Sequence, residues 1–507
     1  MTKTIYEIVA TGTGSAPAIG APGRTDMTYG QLKAQLEQTG AQLNGLGIGR
    51  NDRVAIVLPN GPEMATAFIA VGASATTAPL NPGYREEEFD FYLSDLNAKA
   101  LLVEQGSESP ARAVASQRGI PVLEITFAES DPAGSFTIME DGHDQSDPSE
   151  GGFTKPDDCA LVLHTSGTTS RPKIVPLSQT NVCASANNIR ETLRLTAEDR
   201  CLNIMPLFHI HGLIAATLSS ISAGAAISCS PGFNALSFFS WMEEVTPTWY
   251  TAVPTMHQAI LTRAARNQEI IDKVPLRFVR SSSSSLPPQV MQELEEVFGC
   301  PVIEAYGMTE ASHQMASNPL LDAPRKPGSV GIAAGPEVAI MAQDSGEILK
   351  AGDTGEIVIR GDNVFSGYEA NPTANAEAFT DGWFRTGDQG IMDDEGYVRI
   401  TGRLKEIINR GGEKISPREV DEAIMDHPAV QQVVTFAMPH DKLGEEVAAV
   451  VVLRENQDAS EKDLRDFVGQ QLADFKVPRK ILFMDEIPKG ATGKLQRIGL
   501  AEKLGLV

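Results

Sequence analysis

The stretch HTSGTTSRPKIVPLS (His164–Ser178) sets Thr165, Ser166, Gly167, Thr168, Thr169 and Ser170 side by side and then places one lysine, Lys173, behind Pro172. Main-chain N–H groups and hydroxyls on such a run can wrap phosphate oxygens closely, because small side chains let the backbone approach a ligand. Lys173 would add a point charge for the terminal phosphates. The spacing is not G-x-x-x-x-G-K-[ST], and no G-x-G-x-x-G follows a strand, so neither familiar phosphate loop is present. Taken alone, the run also reads as a solvated Ser/Thr-rich turn. Its surroundings have to decide.

Working outward, β-type runs such as RVAIVLP (Arg53–Pro59) and KALLVEQ (Lys99–Gln105) alternate with helical patterns such as MTYGQLKAQLEQTGAQLNGLG (Met27–Gly47). That alternation predicts an α/β fold, with parallel strands covered by helices. The polar stretch from Glu140 to Asp158 predicts an exposed loop leading into the quoted segment. Between Cys201 and Met242 there is no Asp, Glu, Lys or Arg. Pro206, Pro231 and two histidines break that stretch, so it predicts a buried helix–strand pair rather than a membrane span. After Ile400 the texture becomes a compact β-α-β-β-α pattern ending in PRKILFMDEIPKGATGK, which places a domain boundary near Gly402 to Glu406.

Composition narrows the function. The chain has 507 residues, 42% of them hydrophobic, which is too long for one ordinary core. With 66 acidic against 42 basic residues and a net charge of -24, binding to nucleic acid or to an anionic membrane is disfavoured. An anionic ligand must therefore meet a local positive patch. The five cysteines, Cys159, Cys183, Cys201, Cys229 and Cys300, show no CxxC spacing, which suggests neither a disulfide framework nor a structural zinc site. The N-terminus lacks a signal peptide's apolar core and the C-terminus EKLGLV is no SKL-type signal, so the expected compartment is the cytoplasm. Oligomeric state, monomer or dimer, stays open.

TSGTTSRPK resembles the phosphate-binding signature of the adenylate-forming superfamily, which contains acyl-CoA synthetases, luciferases and peptide-synthetase adenylation domains. Further hallmarks follow in family order: PLFHIHG (Pro206–Gly212), EAYGMTE (Glu304–Glu310), GEIVIRGDNVFSGY (Gly355–Tyr368), WFRTGD (Trp383–Asp388), GRLKEIINRGGEKISP (Gly402–Pro417) and PKGATGK (Pro488–Lys494). The resemblance spans essentially the whole chain. It implies a large multi-layer N-terminal domain of sheets and helices over residues 1–402, which binds ATP and the acid. A hinge at 403–405 and a small mobile α+β C-terminal domain over 406–507 would follow.

It also implies roles. Thr165, Ser166, Gly167, Thr168, Thr169 and Lys173 would hold the phosphates, and Ser284, Glu304, Ala305, Tyr306 and Gly307 would border the nucleotide. Tyr306 would stack on adenine, although a tyrosine packed in the core is the plain alternative. Thr309 would bond the α-phosphate, while Glu310, with Thr168, would hold Mg²⁺, a hard cation that takes oxygen ligands. A Thr-Glu pair by itself is more often a helix start. Asp388 would accept the ribose hydroxyls with Arg403 assisting, where TGD would otherwise be a turn. His209 belongs to the same catalytic group. Lys494 would reach between carboxylate and α-phosphate in the transition state. Lys405 occupies the hinge position, and Gly411 and Gly412 would line the tunnel for coenzyme A, or simply form a β-turn.

Two departures from the family pattern bear on the substrate. Ser170 and Ile174 stand where glycines are usual, and RSSSSSLPP (Arg280–Pro288) replaces a segment of the GGAPL kind that borders the acyl pocket. The serines join His211 and, in MTEASHQM, His313. A pocket of hydroxyls and imidazoles rewards a fatty chain poorly and suits a small acid with a second carboxylate. The combination looks like the oxalate-CoA ligases of plants and fungi, which implies oxalate, ATP and coenzyme A as substrates, with Ser281, Ser283, His211 and His313 around the distal carboxylate. Another short, dicarboxylic or medium-chain acid, or a separate carrier protein as thiol acceptor, is the alternative. A luciferase-like oxygenase is disfavoured by the polar pocket.

Overall fold

The computed structural model describes residues 2–139, 148, 150–165, 172–321, 323–488 and 497–506. Among them the strands form four sheets. A seven-stranded sheet is built around the parallel strands Val122–Thr126, Ala100–Glu104, Arg53–Val57 and Thr76–Pro79 and ends in the hairpin Cys159–Thr165/Lys173–Ser178. The two β-type runs expected from sequence are thus neighbouring strands in one sheet, Val54 facing Ala100 and Val57 facing Val103. The predicted helix forms as Tyr29–Gly45, capped at Thr28 by a reciprocal bond with Gln31, and buries Leu32, Leu36 and Leu43 on one face.

A nine-stranded sheet carries, side by side and parallel, Ala226–Cys229, Arg200–Asn203, Trp249–Ala252, Phe278–Ser281 and Val302–Met308, then turns antiparallel into His313–Ser317. Central parallel strands are covered on both faces, so alternate residues enter different cores. Phe278 joins the core shared with the seven-stranded sheet, and Val279 joins the one on the far side. The charge-free segment is largely buried as far as Ser230, as strand, helix and strand, and then passes through the exposed Leu236 into the helix Phe238–Val245. Its first helical piece, His211–Leu218, winds as a π-helix. Hydroxyls make that burial tolerable: Thr217, Ser219 and Ser220 donate to the carbonyls of Gly212, Ala215 and Ala216 at 2.8, 2.6 and 2.6 Å.

A third sheet joins Glu337–Met341, Thr354–Arg360, Trp383–Met392 and Val398–Arg403. The last sheet, Ile408–Arg410, Glu413–Ile415, Val430–His440, Gly444–Leu453 and Lys480–Phe483, packs on the helices Pro417–Met425 and Glu461–Gly469 around its own core. Among the described residues no helix is long and apolar enough to cross a membrane, and no cysteine forms a disulfide.

Candidate active site

The phosphate-type run lies mostly outside the described residues: Ser166, Gly167, Thr168 and Thr169 belong there, as does Lys494. Its two flanks are placed, Thr165 opposite Lys173 in the antiparallel hairpin. Ile174, which departs from the family pattern, is buried in the apolar core beneath that hairpin.

The strand Val302–Met308 is buried on both faces through Tyr306, and its alternation puts Glu304 and Tyr306 on one of them. Tyr306 donates its hydroxyl proton to Asp388, whose other oxygen accepts from Arg403 Nε at 3.1 Å. Register explains the second contact, since Asp388 and Arg403 sit opposite each other on antiparallel strands. Burial, reinforced by the Asp388 charge, pushes the Tyr306 hydroxyl far above its ordinary range, and Asp388 in turn holds Arg403 firmly protonated. Each carboxylate oxygen can accept more than one hydrogen bond, so Asp388 keeps acceptor capacity for a ribose. The Tyr306–Asp388 bond itself carried no sequence signal, since the two residues are 82 positions apart.

Past Met308 the chain makes the single turn Thr309–Ala311 and reverses. Glu310 is buried and accepts from the Tyr368 hydroxyl at 2.9 Å. Lys173 Nζ stands 4.2 Å from the centre of the Tyr368 ring, a cation–π contact that ties the hairpin Cys159–Thr165/Lys173–Ser178 to the same group. Burial raises the Glu310 carboxyl, while the Tyr368 bond and the Arg403 and Lys173 charges pull it back. A buried carboxylate that wants more positive charge fits Mg²⁺, which takes one or two carboxylates and keeps the rest of its shell in water and phosphate oxygens. No group of three or more His, Cys, Asp or Glu suited to a metal occurs among the described residues, so a nucleotide-borne ion is the arrangement these donors suit.

Other expected nucleotide contacts sort less simply. The Glu304 side chain is turned inward, its Oε1 accepting from the Leu286 amide at 3.1 Å. Ala305 takes the Ser282 hydroxyl on its carbonyl at 2.9 Å, and Ser284 is exposed and bonds the Ser283 carbonyl. Gly307 is there because a Cβ would lie 1.9 Å from the His313 carbonyl oxygen. Gly411 and Gly412, at φ of 60° and 102°, turn the hairpin between Ile408–Arg410 and Glu413–Ile415, a turn that requires positive φ.

The four residues expected around the acid converge in part. His211 is fully buried; its Nδ1 is 3.0 Å from Ser283 Oγ and its Nε2 is 2.6 Å from Thr251 Oγ1. The His313 ring, also buried, is centred 5.1 Å from that of His211. Ser283 and His313 have φ of 74° and 102°, a region where L-residues are strained and which the surrounding structure must hold in place. His209 plays a local part, its Nδ1 accepting the His211 amide at 3.3 Å. Ser281 ends its strand fully buried with its hydroxyl unpartnered. The serine run is therefore not one hydroxyl wall: Ser281 and Ser282 are buried, Ser283 half-buried, and Ser284 and Ser285 exposed. Thr251 and Tyr368 were missed by sequence reasoning, although Tyr368 closes one of the quoted motifs.

Comparison with known proteins places the chain in a family. Residues 6–369 match the family described as AMP-binding enzyme, and residues 419–494 match the AMP-binding enzyme C-terminal domain. An oxalate–CoA ligase of Arabidopsis thaliana is 46% identical over 95% of this chain and 94% of its own. One of Saccharomyces cerevisiae is 41% identical over 94% and 92%. In three dimensions, ATP-bound MatB from Rhodopseudomonas palustris superposes with a TM-score of 0.87 at 28% identity, covering 99% of both chains. Two family models that together span most of its length, and relatives at 41–46% identity over nearly all of it, show that the chain belongs to the AMP-binding enzymes.

Proposed function

We propose that this protein is an AMP-forming carboxylate–CoA ligase that converts oxalate, ATP and coenzyme A to oxalyl-CoA, AMP and diphosphate. The observation that carries the choice of acid is the hydrogen-bonded His211–Ser283–Thr251 chain beside His313. Imidazoles and hydroxyls at the end of an acyl site reward a small, polar acid and penalise an alkyl chain, whose burial against polar groups forfeits transfer free energy. The names of the plant and yeast relatives point the same way.

In the first step one carboxylate oxygen of the acid attacks the α-phosphorus of ATP, the bond to the diphosphate oxygen breaks, and an acyl-adenylate remains. Thr165, Ser166, Gly167, Thr168, Thr169 and Lys173 hold the phosphates. Tyr306 stacks on adenine, with Ser284, Glu304, Ala305 and Gly307 bordering the base, and Asp388 and Arg403 hold the ribose. Thr309 bonds the α-phosphate and Lys494 neutralises charge gathering between carboxylate and α-phosphate. Glu310 and Thr168 hold Mg²⁺, which when bound polarises the phosphate oxygens. His209 orients the start of the His211 helix. In the second step the thiol sulfur attacks the acyl carbon, AMP leaves with the bonding electrons, and the thiol proton passes to solvent. Lys494 has to vacate the space that the thiol enters, so the unit 406–507 turns about 403–405, with Lys405 in the hinge and Gly411 and Gly412 beside the thiol's path. The setting proposed is the cytoplasm.

Diphosphate release with ATP, Mg²⁺ and coenzyme A, measured against oxalate, malonate, acetate, octanoate and coumarate, tests the reading. Strong preference for oxalate is expected. Preference for octanoate or coumarate would retain adenylation and remove the acyl-site assignment.

A further inference from the structure

One buried charge is left unused by this mechanism. Arg280 stands in the strand Phe278–Ser281, in the middle of the nine-stranded sheet, with no exposed surface. Its Nη2 donates one long hydrogen bond to Gln314 Oε1 at 3.4 Å, and among the described residues Nε and Nη1 have no partner. Among the described residues no carboxylate pairs with it, and the Cys201 thiol nearby is kept protonated by its own burial. Burial lowers its pKa to about 9, which leaves it a cation at neutral pH. A buried guanidinium without a counter-ion is costly, because water has been removed and nothing has replaced it. A fold that keeps such a group has a use for it.

The register shows which way the residue leaves the sheet. Arg280 is paired with Thr251 on the neighbouring parallel strand, and paired residues project from the same face. Thr251 is the residue whose hydroxyl holds His211 Nε2 at 2.6 Å. Arg280 therefore emerges on the face that carries the acyl-site imidazole. The chemistry asks for a cation there: Lys173 and Lys494 are committed to the nucleotide end, yet a dicarboxylate brings a second negative charge into a protein whose net charge is already -24. The planar fork of arginine suits a carboxylate with two parallel hydrogen bonds.

We propose that Arg280 is the buried counter-ion for the second carboxylate of the substrate, and that it sets selectivity for short dicarboxylates over monocarboxylates; this rests on the carboxylate–CoA ligase reading above. The test compares kcat/KM for oxalate and for acetate in the wild type, Arg280→Met and Arg280→Lys, with KM for ATP as control and thermal melting to confirm folding. Expected is a loss of about 100-fold or more for oxalate in Arg280→Met, an acetate value and ATP KM within about 3-fold of wild type, and a smaller oxalate loss in Arg280→Lys. Equal losses for both acids, or an unchanged oxalate-to-acetate ratio, would assign Arg280 to the structure of the sheet and overturn the proposal. Where Arg280→Met does not fold, Arg280→Lys decides on the same ratio, since it keeps the charge and removes the fork. The wild-type preference tests the oxalate reading separately: a protein that favours acetate refutes that reading whatever the variants do.

Discussion

Glu304 shows how much one side chain can encode. It is buried on the strand beside the proposed adenine site, with its Oε2 unpartnered, and desolvation pushes its carboxyl up to about 7 from 4.5, against the nearby Arg418 charge and with Glu422 adding to the rise. Because the folded-state value lies above the unfolded one, the stability it contributes is fully present below pH 4.5 and is lost as pH rises through 7. Glu304→Gln keeps an oxygen for the Leu286 amide and removes the titration. Its melting temperature should gain on wild type by a few degrees between pH 5 and pH 8, equivalent to roughly 3 kcal/mol at most; parallel curves would refute the assignment. Asp388→Asn should raise the KM for ATP about 10-fold or more, since an amide cannot hold Arg403 as an ion pair, and an unchanged KM would remove Asp388 from the nucleotide site. Both residues were legible in the sequence because each stands inside a local motif. Arg280 was not, since its place at the head of RSSSSSLPP does not say which way its side chain leaves the strand, and only the register with Thr251 reveals it.

The element that positions His211 is the π-helix His211–Leu218. A stretch free of charge announces burial, and the sequence carried that much. It does not announce winding, because π and α turns draw on the same apolar residues and are separated by what the neighbouring chain leaves room for. Gly212 supplies the room: a Cβ there would lie 2.4 Å from the Pro206 carbonyl oxygen, a backbone atom that cannot swing aside. Gly212→Ala should shift the first turn and pull His211 away from Ser283 and Thr251. The expected result is a fall in kcat/KM for the acid of about 10-fold or more, with KM for ATP held within about 2-fold, since a displacement near 1 Å costs rate at the reacting end. Equal impairment of both substrates would show that the helix supports the fold and not the acyl site in particular.

Across the whole molecule, no apolar core among the described residues is shared by the proposed mobile unit and the larger one, and hydrogen bonds cross between them. Ser416 donates to the Thr401 carbonyl, Gln258 Nε2 donates to the Gln431 carbonyl at 3.2 Å, and Gln289 donates to Asp426. Polar contacts can be exchanged for water at small cost, whereas a shared apolar core cannot, and the C-terminal sheet keeps its core to itself. That partition suits a unit that turns once per catalytic cycle. Lys494 lies outside the described residues, and its proposed role rests on the PKGATGK motif alone, so it needs a test that separates the two steps. In Lys494→Ala, acid- and ATP-dependent diphosphate release should fall by about 100-fold or more, the loss expected when a charge-stabilising donor is removed from a transition state. Thioester formation from a supplied acyl-adenylate and coenzyme A should proceed near the wild-type rate, because the lysine has left by then. Loss of both half-reactions would place Lys494 in the second step as well, and a single arrangement of the two units would then have to serve the whole cycle.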